Sequence, residues 1–305
     1  MGKIAFLFSG QGSQYSGMGR ELALCSDSAA KVFSTADSIR PGTSAQCFEG
    51  SKEELFITRN TQPCLFCVDL AAAEALRENG IVPDYLAGFS LGEIPALNFG
   101  GYLSFGDAFR FVIKRAEYMD ECGRENPGTM FAVLGLEGQE VESLCNGMKG
   151  CYPVNYNGKT QIVVACRKEF SDGFPEAVIA KGGKAMKLAV SGGFHSPMMN
   201  EAREKLETEF SGLTFQKEKI PVFSNATADL YGTKELLFRQ VNSPVYWHRI
   251  VLNLAGNGVD TFVETGPGKT LCNLVSKILP ESTIVNVEDE KSLNKALEVL
   301  YSVKK

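Results

Sequence analysis

The chain is short of most features that would take it out of the ordinary globular class. No run in its 305 residues approaches the ~18 apolar residues that cross a bilayer. Lys and Arg number 31 against 36 Asp and Glu, a net charge of -5, so no basic surplus exists for bulk attraction to nucleic acid or an anionic membrane. With 44% hydrophobic and 22% charged residues, and no internal repeat, low-complexity tract or disordered linker, collagen, coiled coil and disorder are excluded. The nine cysteines (25, 47, 64, 67, 122, 145, 151, 166 and 272) are odd in number and scattered, which argues against a disulfide framework and for a reducing compartment. The apolar run 4–8 meets Ser9-Gly10-Gln11-Gly12 at once and is too short for a secretory signal. A soluble, cytoplasmic protein is expected, with one large domain or two ordinary ones at about 150 residues each.

What the chain does have is a recurrence of short apolar runs, glycine-marked turns and helical stretches, the pattern of an α/β fold. Residues 3–8 and 85–89 read as buried strands, and 63–79 and 108–122 as amphipathic helices. Between 126 and 190 the texture changes. Strand-like 130–134, 161–166 and 185–190 alternate with helical 139–146 and 170–181, a β-α-β-α-β series sized for an inserted small α+β subdomain. Longer helices at 197–210 and 244–257 follow, with strands at 222–224 and 261–264. The division expected is a large α/β domain from 1–125 and 191–305, with a small subdomain at 126–190.

Gly88-Phe89-Ser90-Leu91-Gly92 is a G-x-S-x-G between a buried strand and a helix. That turn exposes the serine Oγ at the carboxyl end of a sheet, beside free N–H groups able to receive an oxyanion. As a bare pattern it also marks a glycine-rich strand-to-helix turn without chemistry. A serine nucleophile needs a base, and the chain has two histidines. His195, in Gly192-Gly193-Phe194-His195-Ser196-Pro197, precedes a helix on a loop; His248 lies within a helical stretch and reads as a packing or surface residue. What orients His195 is open at this level, either an acid between Ser90 and His195 or a backbone carbonyl.

Six motifs then fall in order: Phe8-Ser9-Gly10-Gln11-Gly12-Ser13-Gln14, the 88–93 elbow, Arg115, Asn155-Tyr156-Asn157, Phe194-His195-Ser196 and Glu264-Thr265-Gly266-Pro267-Gly268-Lys269. Over residues 3–285 the chain resembles the malonyl-CoA:acyl carrier protein transacylases of bacterial type II fatty acid synthesis. The resemblance implies a hydrolase-like large domain with a parallel sheet and an inserted ferredoxin-like subdomain. It implies a Ser90–His195 dyad, with the imidazole held by the main-chain carbonyl of Gln240 in Arg239-Gln240-Val241-Asn242-Ser243-Pro244-Val245. The backbone amides of Gln11 and Leu91 become the oxyanion hole, and Arg115 the ligand for the free malonyl carboxylate. A planar guanidinium suits a carboxylate better than an ammonium does; read from the residues alone, Arg115 beside Lys114 is a solvated helix charge. The implied reaction is ping-pong transfer from malonyl-CoA to the phosphopantetheine thiol of acyl carrier protein. It calls for no resident cofactor and no metal, and a monomer is the family default. Phe194 reads as the malonyl-selecting form of its loop, with bulkier 2-substituted malonyl groups fitting poorly.

The chain departs from the family pattern at Phe89 where His is usual, at Pro95 early in the elbow helix, at Ala116 where Gly is common, and in the glycine-rich 191–193 loop. Pro95 is expected to strain or shift its turn, and the 191–193 loop to be mobile. Other signals fail. Cys64-Leu65-Phe66-Cys67 has no second pair at ligand spacing and reads as core. Gly266-Pro267-Gly268-Lys269-Thr270 lacks the P-loop's first glycine at Val263, and Gly10-Gln11-Gly12 has Tyr15 where a dinucleotide fingerprint needs its third. Lys181, Lys184 and Lys187 form a local basic stretch that either docks the acidic carrier or is a solvated strand edge. Two rivals remain, an acyl hydrolase or polyketide-associated acyltransferase on the same fold and a non-catalytic carrier-binding module.

Overall fold

The computed structural model describes residues 2–190 and 192–303. Ser191, first residue of the glycine-rich loop and of the 191–305 segment, lies outside the described residues, as do Met1, Lys304 and Lys305.

Nine strands are present among the described residues: β1 (Lys3–Phe8), β2 (Tyr85–Gly88), β3 (Gly128–Leu134), β4 (Cys151–Gly158), β5 (Gln161–Arg167), β6 (Lys184–Lys187), β7 (Val222–Phe223), β8 (Val259–Thr265) and β9 (Thr283–Val287). They form two sheets. One is parallel with order β7-β2-β1-β8-β9, the other antiparallel with order β4-β5-β3-β6. In β1 the side chains of Ile4, Phe6 and Phe8 enter one apolar cluster and those of Ala5 and Leu7 another on the opposite face. A strand covered on both faces is apolar throughout, which is why residues 4–8 show no alternation. The antiparallel sheet has its own core, including Phe131, Val133, Val164 and Phe174.

The helices over the parallel sheet include Thr58–Glu78 and Phe105–Glu125. The first begins five residues before Pro63, which sits inside it as Ile57 supplies the N-cap. Pro63 lies in the second turn, where it forfeits the hydrogen bond that its own N–H would give to the Arg59 carbonyl. Phe105–Glu125 is capped by Ser104, whose side chain accepts from the Asp107 amide.

Several expected elements differ. The 126–190 series has four strands where the sequence pattern shows three, the additional one being β4. Pro153, Asn155, Asn157 and Gly158 carry little strand signal, and β4 is an edge strand broken by two register shifts, the place where proline is tolerated. The 170–181 helix is a short 3-10 turn at Lys168–Phe170 followed by a helix at Phe174–Ala180, started by Gly173 and Pro175. The last strand of the series ends at Lys187 rather than 190. The helices expected at 197 and 244 begin at Asn200, after a 3-10 turn, and at Trp247. Pro95 is the third residue of Glu93–Phe99. In the first turn of a helix amide groups lack an intrahelical partner anyway, so the proline is accommodated.

Candidate active site

The turn after β2 carries Ser90 at φ +55°, a left-handed conformation rare for a residue with a Cβ. Tight approach explains its flanking glycines. A Cβ at Gly88 would lie 2.0 Å from the Gly92 carbonyl carbon, and one at Gly92 would lie 2.2 Å from the Phe8 oxygen. Distant side chains hold this strained residue on both sides. Asn225 Oδ1 accepts from the Ser90 amide at 2.7 Å, and Asn225 Nδ2 donates to the Gly88 carbonyl at 2.6 Å. Gln240 Nε2 donates to the Ser90 carbonyl at 2.6 Å. Glu93 Oε2 accepts from the Asn225 amide at 2.5 Å and Oε1 accepts from the Tyr231 hydroxyl, so a buried carboxylate fixes the clamp.

His195, also at positive φ (+61°), places Nε2 2.6 Å from Ser90 Oγ. Its Nδ1 lies 2.9 Å from the Gln240 carbonyl oxygen. A carbonyl only accepts, so Nδ1 carries the proton and Nε2 is left bare toward the serine hydroxyl. The open question of what orients the imidazole thus resolves onto a main-chain carbonyl. Burial, and then the neighbouring Arg115 cation, push the imidazole pKa down to about 4 against the pull of the Gln240 and Ser243 backbone hydrogen bonds. The ring is therefore a neutral base at physiological pH.

Arg115 is not a solvated helix charge. It is 1% exposed, on the inward face of Phe105–Glu125. Nη1 donates to Gln62 Oε1 at 2.6 Å, and Nη2 donates to Gln240 Oε1 at 2.7 Å and to Ser90 Oγ at 3.2 Å. Nε has no partner, and among the described residues no carboxylate lies within ion-pair distance of the guanidinium. Burial lowers its pKa to about 10, with the Glu93 carboxylate opposing. Burial likewise raises Glu93 to about 7.

These groups open into a cleft of about 260 Å³ that Gln11, Leu91, Met130, Phe194 and Thr270 also line. Neither the Gln11 nor the Leu91 amide N–H has a protein acceptor among the described residues. Asn155 and Asn157 face the same cleft with unpaired side-chain carbonyls. A groove lined by Gln11, Gln14, Phe56 and Lys187 adjoins it, sharing Gln11, Leu188 and Val190. Phe89 packs edge-on against Trp247 with ring centroids 5.4 Å apart. His248 is half-buried on Trp247–Gly256 and does not line the cleft. Cys64 and Cys67 are buried in the Thr58–Glu78 helix, and among the described residues no His, Cys, Asp and Glu group could hold a metal ion.

The structure brings together all six residues singled out from the sequence. Reasoning on the sequence missed Gln62, Asn225, Tyr231 and the side-chain role of Gln240. The sequence signal at Gln62 is a polar residue directly before the apolar stripe, one position outside the helix that the sequence predicts from Pro63 and four positions into the helix that forms from Thr58.

The chain matches the acyl transferase domain family over residues 5–295. It belongs to that family. This acyl transferase domain is 38% identical over 310 residues to the malonyl CoA-acyl carrier protein transacylase of Bacillus subtilis, covering 98% of each chain. Among solved structures it superposes on the malonyl CoA-acyl carrier protein transacylase from Clostridium perfringens with a TM-score of 0.95, at 35% identity over 99% of this chain and 98% of that one. It also superposes, with a TM-score of 0.92 and 33% identity over 97% of this chain and 99% of the other, on a malonyl-transacylase solved in complex with a type II polyketide acyl carrier protein. No helix among the described residues is long and apolar enough to cross a membrane.

Proposed function

We propose that this acyltransferase moves a malonyl group from malonyl-CoA to the phosphopantetheine thiol of acyl carrier protein, through a malonyl ester on Ser90. The observation that carries the reading is the buried Arg115 guanidinium, held 3.2 Å from the Ser90 hydroxyl without a carboxylate on it. A buried cation lacking a counter-ion is unfavourable unless its ligand brings one. A malonyl group has its free carboxylate one carbon beyond the thioester, so the cation and the nucleophile select for that acyl group together.

His195 Nε2 takes the Ser90 proton as Oγ attacks the thioester carbonyl. The Gln11 and Leu91 amides receive the oxyanion. The C–S bond breaks, and the departing CoA thiolate takes the proton from the imidazolium. In the second half His195 removes the proton of the carrier's thiol, the thiolate attacks the malonyl ester, and Ser90 regains its proton. Each thioester brings its own pantetheine arm, so no resident cofactor is needed. The acidic carrier docks at the basic edge of β6. Lys184 and Lys187 are exposed there, and Lys187 lines the groove that opens into the cleft. The enzyme acts as a cytoplasmic monomer with no nucleic acid partner.

For the architecture we propose a hydrolase-like large unit, 1–125 and 191–305, with a ferredoxin-like insertion at 126–190. The β-α-β-β-α-β order of β3 to β6, and a nucleophile elbow at the carboxyl end of β2, support that description.

The test is intact-mass spectrometry after mixing with malonyl-CoA or acetyl-CoA, with Ser90→Ala as control. An adduct from malonyl-CoA that is absent in the control and transfers to phosphopantetheinylated carrier protein is expected. Release of CoA with neither adduct nor transfer would make the protein a hydrolase, and a mass shift from acetyl-CoA alone would remove Arg115 from its role.

A further inference from the structure

Away from the dyad, a second carboxyl is sealed in the core. Asp69 sits mid-way along Thr58–Glu78 with no solvent exposure. Ser9 Oγ donates to its Oδ1 at 2.7 Å, while Oδ2 has no partner among the described residues. The carboxyl is wedged between two loops at the carboxyl ends of β1 and β8. Ser9 follows β1, and its amide donates to the Thr265 carbonyl at 3.3 Å. Gly266 follows β8 at φ +117°, and a Cβ there would lie 1.8 Å from Asp69 Oδ1 and 2.9 Å from Ser9 Oγ. No residue but glycine leaves room for this contact. Two residues past Ser9, Gln11 Nε2 donates to Thr58 Oγ1 at 3.3 Å, so the same helix fastens the loop at two points.

We propose that Asp69 is a positioning residue for the oxyanion hole: through Ser9 it fixes the turn that presents the Gln11 amide to the cleft. The proposal rests on the acyl-transfer reading of that site. A hole is effective because its donors are fixed before charge develops, and slack in one of them weakens the transition state more than substrate binding. Burial, and then the nearby Glu264 carboxyl, push the Asp69 carboxyl well above the usual carboxylate range against the Ser9 hydrogen bond. Glu264 is itself engaged by the Leu271 and Cys272 amides at 3.0 and 2.7 Å. A carboxamide keeps an oxygen that can accept from Ser9 Oγ, so asparagine is the conservative replacement.

The experiment measures kcat and KM for malonyl transfer in Asp69→Ala, Asp69→Asn, Ser9→Ala and the Ser9→Ala/Asp69→Ala double variant, with active sites counted by the malonyl-enzyme burst. Losing a whole oxyanion donor costs about 10²–10³ in kcat, so a loosened one is expected to cost about tenfold, with KM within about threefold. Ser9→Ala should match Asp69→Ala, the double variant should be no worse than either, and Asp69→Asn should stay within about threefold of wild type. A purely structural role would lower the burst amplitude or thermal midpoint and leave kcat per active site untouched, which would overturn the proposal. So would single effects that multiply in the double variant. Ser9→Ala, the milder change, reads the same link should Asp69→Ala fail to fold. If wild-type protein forms no malonyl adduct, the acyl-transfer reading falls; if it turns over normally and Asp69→Ala does too, only the role of Asp69 falls.

Discussion

Replacing Arg115 by methionine should collapse the preference for malonyl over acetyl groups. The guanidinium is buried, held in a fork by Gln62 and Gln240, and among the described residues no carboxylate lies within ion-pair distance of it. Breaking a buried, hydrogen-bonded ion pair from one side costs about 3–5 kcal/mol. At about 1.36 kcal/mol per factor of ten, kcat/KM for malonyl-CoA should fall by roughly two to four orders of magnitude. Acetyl-CoA behaves oppositely in the wild type, where it leaves the cation unpaired at a cost of about 1–3 kcal/mol. With methionine that penalty is absent, so acetyl transfer should hold or rise. Arg115→Lys should recover little, because an ammonium cannot hold both amide oxygens and a carboxylate in one plane. The assay is CoA release under subsaturating conditions with each thioester, normalised to active sites. A malonyl-to-acetyl ratio within about threefold of wild type would refute the assignment. An equal loss on both substrates would mean that Arg115 acts only through its 3.2 Å hydrogen bond to Ser90 Oγ.

The pH profile of acylation should be flat through neutrality and drop only as pH falls through about 4, because the proposed mechanism uses the base form of His195 and its pKa is lowered to about 4. In Arg115→Met the cation's contribution disappears while burial remains, so the acid limb should shift part of the way toward the ordinary histidine value; stopped-flow acylation between pH 4 and 8 would expose a wild-type limb near 6.5, or an unmoved one in the variant, as contradictions. Asn225→Ala removes the acceptor of the Ser90 amide and the donor to the Gly88 carbonyl. Each buried group left unpaired costs about 1–3 kcal/mol, so the thermal midpoint should drop by several degrees, at roughly 2–4 °C per kcal/mol. Acylation should slow as the φ +55° turn relaxes, and an unchanged midpoint by calorimetry would contradict the clamp.

What the sequence determined by itself was everything encoded within a turn or two of chain. Strand β1 and the strand before Ser90 are contiguous apolar runs ended by glycine and serine, and the long helices repeat apolar residues at helical spacing. The elbow is legible because its glycines and serine are neighbours in sequence. Strand β4 is illegible because proline, two asparagines and a glycine leave it no alternation, and its pairing with β5 and its bridge to Val245 make it a strand. Tertiary structure alone decided the chemistry of Arg115. Beside Lys114 it is one more helix cation; what changes it is Gln62, 53 positions earlier, and Gln240, 125 positions later, which enclose it in low dielectric next to the Ser90 hydroxyl. The same holds for the orientation of His195 by a carbonyl 45 residues away, and for the pinning of Ser9 by Asp69 across 60. Periodicity tells which way a residue faces on its own element, whereas charge, proton affinity and strain depend on what the folded chain packs against it.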